Sequence, residues 1–114
     1  MVYNKEDITE LAFKRYKSGE SYDDSVWYLA YYTLKITKNI KNGDSIHPLE
    51  TDNLLLILNE NVNGELLEPD NEEVKALAKE ISSRQEPKSK LHWFISEKIL
   101  LLREIEKVIN ENKS

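Results

Sequence analysis

The stretch from Tyr22 to Asn42 contains neither proline nor glycine, and Ser21 stands before it with Asp24 three positions on. A small hydroxyl residue ahead of an uninterrupted run is the start signal of a helix, so one long helix is expected here. Its middle, SVWYLAYY from Ser25 to Tyr32, holds four of the ten aromatic residues of the chain. At about 100° per residue, Val26, Ala30, Thr33 and Leu34 fall on one side, and Leu29, Tyr32 and Ile36 nearly opposite. A helix that is apolar on both sides is buried between other elements, which makes this the central helix of a bundle.

The rest of the chain supplies its neighbours. Asn4 can cap a helix running to about Ser18, with Ile8, Leu11, Ala12 and Tyr16 recurring at helical spacing. Downstream, Asp70 or Asn71 can cap NEEVKALAKEISSR, where Val74, Leu77, Ala78 and Ile81 form an i, i+3, i+4, i+7 stripe. Its acids crowd the N-terminal end, where the helix dipole favours them. After Pro87, Ser89 is the candidate cap of a last helix reaching about Asn110, with Leu91, Phe94, Ile95, Leu101, Leu102, Ile105, Val108 and Ile109 on a broad apolar face. The three glycines, Gly19, Gly43 and Gly64, each follow a small polar residue and mark segment boundaries. Between the last two, the aliphatic run Leu54 to Leu58 is short enough for either a buried helix or a buried strand. It is leucine-rich and has no second strand to pair with, so a helix is expected. The fold class is therefore all-α, a small bundle of four to five helices, mostly antiparallel, in a single domain over 1–114.

Composition narrows the function. The chain has no cysteine, hence no disulfide framework, thiolate nucleophile or sulfur ligand for a metal. No apolar run approaches the roughly 20 residues of a membrane-spanning helix, and MVYNKEDITE lacks the apolar segment of a secretory signal. A cytoplasmic protein without membrane contact is the expectation.

Charge is the most informative signal. Residues 1–43 carry seven Lys/Arg against six Asp/Glu, residues 44–87 three against eleven, and residues 88–114 six against four. The net charge of −5 thus originates in the middle of the chain. Between Asn42 and Val74 stand nine acids, Asp44, Glu50, Asp52, Glu60, Glu65, Glu68, Asp70, Glu72 and Glu73, with no Lys or Arg among them. One-sided potential of this kind selects a basic partner and repels an anionic one, which argues against direct nucleic-acid binding. The plain alternative is a solvated face, with Asp70, Glu72 and Glu73 serving the helix start. On the central helix, Trp27 and Tyr31 share with Asp24, Lys35 and Lys38 the single stripe that mixes large rings with charges. Such rings anchor interfaces, although they also serve as boundary packing between core and solvent.

Catalytic patterns are missing from the sequence. There is no glycine-rich phosphate loop, no H-E-x-x-H and no G-x-S-x-G. His47 and His92 lie far apart, and only the fold could join them to acids such as Glu50 or Glu97 as a metal site. Glu72, Glu73 and Glu80 lack the second carboxylate helix that a divalent-metal hydrolase requires. No cofactor and no metal are therefore expected. The sequence supports a non-enzymatic protein that binds a basic protein partner, of an inhibitor, immunity, antitoxin or regulatory type. Its candidate contacts are Asp44, Glu50, Asp52, Glu60, Glu65, Glu68, Trp27 and Tyr31. Two alternatives stand beside it. One is a homodimer that covers the apolar face around Leu100, Leu101 and Leu102, and the other is a metal-dependent enzyme using clustered carboxylates.

Overall fold

A computed structural model describes residues 4–39 and 66–111, with side chains as far as 107. Within these residues the protein is a small helical bundle of α1 (Lys5–Lys17), α2 (Tyr22–Asn39), α3 (Asn71–Ser83) and α4 (Lys88–Glu111). The expected helix or strand at Leu54 to Leu58, and the boundaries at Gly43 and Gly64, lie outside the described residues, as do the side chains of Val108 and Ile109.

The helix starts follow from local chemistry. Asn4 Oδ1 accepts the Asp7 N–H at 3.0 Å, and Asp7 Oδ2 accepts the Asn4 N–H at 2.9 Å, closing a capping box on α1. Ser21 Oγ accepts the Asp24 N–H at 3.1 Å and starts α2. At α3 the Asp70 N–H donates to Glu73 Oε1 at 3.4 Å. The start of α4 corrects the sequence reading. Ser89 lies inside the first turn, because the Pro87 carbonyl already accepts the N–H groups of Lys90 and Leu91 at 3.0 and 3.1 Å.

The core confirms α2 as the central helix. Val26, Leu29 and Ala30 of α2, Val74 and Ile81 of α3, and Leu91 and Ile95 of α4 form one buried cluster, and α2 packs against both α3 and α4. Burying each of the larger side chains stabilises the fold by about 1.5–3 kcal/mol. Helix α1 is peripheral to this cluster: it packs on α4, and Ile8 is its one buried side chain. Tyr16, expected on the apolar stripe of α1, is instead 59% exposed. Its ring lies in an edge-to-face arrangement with His92, the centroids 6.2 Å apart. With 24 residues, α4 is about 36 Å long and reaches both α1 and α2. Leu100, Leu101 and Leu102 are all buried within the single chain, at 5%, 1% and 5% exposure. The consecutive leucines therefore give no reason to invoke a second copy.

Helices α1 and α3 end differently. Gly19 follows α1 with φ +76°, the left-handed conformation that closes a helix at little cost for glycine. After α3 the corresponding residue is Gln85, with φ +53° and an exposed side chain. A β-carbon in this region is unfavourable by about 1 kcal/mol. Gln85→Gly is expected to raise the unfolding free energy by about 0.5–1 kcal/mol in urea denaturation, whereas a loss of stability would show that the Gln85 side chain contributes more than its backbone costs.

Candidate functional site

Two polar clusters sit at opposite ends of α2. The first joins α1, α2 and α4. Arg15 at the end of α1 donates from Nε and Nη2 to the two oxygens of Glu20, at 3.1 and 2.9 Å, a bidentate pair whose members are 18% and 11% exposed. Ser25 Oγ lies 2.8 Å from Glu20 Oε2, 2.9 Å from the Ser21 carbonyl and 2.9 Å from His92 Nε2. The hydroxyl has one proton, and the first two neighbours only accept. His92 must therefore supply the proton in its own contact, which fixes the neutral ring as the Nε2–H tautomer. His92 Nδ1 is buried without a hydrogen-bond partner.

Serine, histidine and glutamate are the residue types of nucleophilic catalysis, but their arrangement here does not perform it. That chemistry needs the hydroxyl on one ring nitrogen and the carboxylate on the other. In this protein both face Nε2, with Glu20 Oε2 at 3.3 Å. Ser25 and His92 are also closed to a substrate, at 0% and 1% exposure. The cluster is a polar joint between helices. Burial alone would push the Glu20 carboxyl up, but the Arg15 and Ser25 hydrogen bonds and the Arg15 charge reverse this and hold it below 4.5. Burial holds His92 below 6.5; the charges of Lys88 and Arg15 add to that, and only Glu20 opposes it.

The second cluster lies on the outer stripe of α2, where the sequence placed Trp27 and Tyr31. Trp27 is 38% exposed, on a helix whose Val26 and Ala30 are 4% and 0% exposed. Tyr31 is half-buried and donates from Oη to Glu68 Oε2, while Lys35 Nζ pairs with Glu68 Oε1 at 3.0 Å. Asn39 holds Glu68 within reach. Fully buried, its side chain donates from Nδ2 to the Leu67 carbonyl at 3.0 Å and accepts the Leu67 N–H on Oδ1 at 2.7 Å. The backbone beside Glu68 is thereby fastened to the end of α2. The Tyr31 hydrogen bond, then the Lys35 hydrogen bond and charge, outweigh burial and hold the Glu68 carboxyl below 4.5. Burial and the Glu68 hydrogen bond push Tyr31 up.

Of the proposed contacts, the structure brings Tyr31 and Glu68 together, with Trp27 one turn away along α2. Asp44, Glu50, Asp52, Glu60 and Glu65 lie outside the described residues. Two described acids of the run are engaged inside the chain, Glu68 with Lys35 and Glu73 with Lys38 at 3.4 Å. Sequence reasoning did not single out Tyr28, 40% exposed with the Arg15 guanidinium 5.0 Å above its ring, or Phe13, 57% exposed with Lys17 Nζ at 4.9 Å. The signal for Phe13 was available, since it falls outside the Ile8, Leu11, Ala12 stripe. Among the described residues no group of three or more His, Asp or Glu side chains is placed to hold a metal ion. No helix among them is long and apolar enough to cross a membrane. The chain matches no known family, no curated protein and no solved structure.

Asn39→Ala removes both bonds to Leu67 and is expected to cost about 2 kcal/mol in urea denaturation. With its tether gone, the Glu68 carboxyl should titrate closer to 4.5, measurable by carbon-detected NMR. An unchanged Glu68 titration would mean that Asn39 does not place it.

Proposed function

We propose that the protein acts by binding another macromolecule, a basic protein, through the outer stripe of α2 and the acidic run that begins beyond its end. The observation that carries this reading is Trp27, a large ring 38% exposed on the outer side of the helix that otherwise forms the centre of the core. An exposed tryptophan on a rigid helix is an efficient anchor, because it offers much contact area at little conformational cost. Tyr31 and Glu68 belong to the same face, and the sequence run that holds Glu68 also holds the acids Asp44, Glu50, Asp52, Glu60 and Glu65. Among the described residues Lys35 and Lys38 pair with Glu68 and Glu73, and the run supplies seven further acids that a basic partner could meet. An acidic surface beside an aromatic anchor suits an inhibitor, immunity or antitoxin role, in which a preformed anionic face occupies the basic surface of its target.

The test is capture of the tagged protein from its native host at low and high salt, with mass spectrometry of what is retained and affinity measured on the purified pair. A stoichiometric basic protein, lost at high salt, is the expected result. Trp27→Ala and the combined Asp52→Lys, Glu60→Lys, Glu65→Lys variant should each weaken binding at least tenfold with helical content unchanged by circular dichroism. Affinity left intact in both variants would overturn the reading.

A further inference from the structure

The Arg15, Glu20, Ser25, His92 joint ties α1 to α2 and α4, and it contains a buried imidazole. Helix α1 contributes nothing to the cluster of Val26, Leu29, Ala30, Val74, Ile81, Leu91 and Ile95, and its one buried side chain is Ile8. Toward its other end it is fastened by the Arg15 guanidinium, which spans Glu20 and the Tyr28 ring, and by the Tyr16 edge against His92 at 6.2 Å. With so little apolar burial of its own, such a helix can open while the remaining core stays folded.

We propose that docking of α1 is gated by proton uptake at His92: the helix is seated while the imidazole is neutral and lifts as the imidazole becomes charged. The geometry gives the reason. A second proton on the ring must go to Nδ1, which is buried with no acceptor. It also makes His92 a second cation on a carboxylate, Glu20, whose two oxygens Arg15 already occupies. The charged and titratable groups facing the ring are Arg15 and Tyr16 from α1, Glu20 from the connection before α2, and Lys88 from α4 itself. Glu20 favours the charged ring, and Arg15 and Lys88 oppose it. Lifting α1 removes Arg15 and Tyr16 and opens the ring to water, so that its pKa returns toward the ordinary histidine value.

The undocked form therefore binds more protons than the docked form at pH values between their two pKa values. Docking is favoured while the ring is neutral and is lost as pH falls from the ordinary histidine range, near 6.5, toward the lower pKa of the docked ring. The window is distinct from that of Glu20, whose carboxyl is held below the ordinary carboxylate value and stays charged across it.

The experiment is amide hydrogen exchange of the full chain between pH 7.5 and 5.0, expressed as protection factors to remove the intrinsic pH dependence of exchange. Amides of α1 from Leu11 to Lys14 should lose protection by up to about tenfold per pH unit below 6.5, while those of Ala30, Leu77 and Ile95 keep theirs. In His92→Gln, whose side-chain amide can still donate to Ser25 but does not titrate, the α1 protection should be flat over this range. The His92 ring titration, followed by NMR in the unaltered protein, should lie below 6.5 and coincide with the α1 loss. Constant α1 protection, equal loss in α1 and in the core amides, or an unchanged pH dependence in His92→Gln would each overturn the proposal.

Discussion

Ala30 has no solvent-exposed surface because α3 and α4 close on α2 from two sides. Val26 and Leu29 take the remaining room, and a small side chain at position 30 lets neighbouring helices approach closely. The other arrangements in the described structure depend on this burial. It orients α2 about its axis, which sends Trp27 outward, turns Ser25 toward α4, and leaves Tyr31 and Lys35 at the margin where Glu68 meets them. A rotation of α2 by one residue would bury Trp27 and expose Val26, so the apolar pattern sets the register in which the polar contacts form.

Polar groups then fasten both ends of the same helix. At the start, Tyr22 Oη donates to the Glu86 carbonyl at 2.8 Å, and Ser25 meets His92. At the end, Asn39 pairs with the Leu67 backbone in both directions. Each link joins residues remote in sequence, and each is directional. Apolar burial alone tolerates small slides of one helix along another, whereas a buried amide with two backbone partners does not. The central helix is thus held in rotation by its core and in translation by its ends.

Much of the fold is legible in the sequence because it rests on local or periodic signals. The Asn4 to Asp7 capping box, the Ser21 cap, the Val74 to Ile81 stripe and Gly19 as a helix terminator all act within a few residues of chain. The stripe of Trp27 and Tyr31 is readable for the same reason, since it needs only the angle between positions on one helix. What escapes is tertiary. His92 reads as a polar residue at a helix edge, yet it is fully buried because Ser25 and Glu20, 67 and 72 positions earlier, meet its Nε2. Asn39 looks like one more polar residue near a helix end. Its role appears only once Leu67 returns beside it. Gln85 ends α3 in a conformation that sequence favours for glycine, and no local signal points to it. The leucines at 100–102 are tertiary as well: their crowding on one helix exceeds what a single face needs, and the folded chain buries all three.

The charge pattern gains meaning from the same geometry. Read as a list, the nine acids from Asp44 to Glu73 form a uniform block. In the folded chain the block divides. Glu68 and Glu73 are matched by Lys35 and Lys38, one helical turn apart on α2, and exposed pairs of this sort contribute at most about 1 kcal/mol each. Their consequence is more electrostatic than energetic: α2 supplies the countercharge for two acids of the block. Among the described residues, the margin of α2 beside Tyr31 therefore sets Lys35 against Glu68 and Lys38 against Glu73.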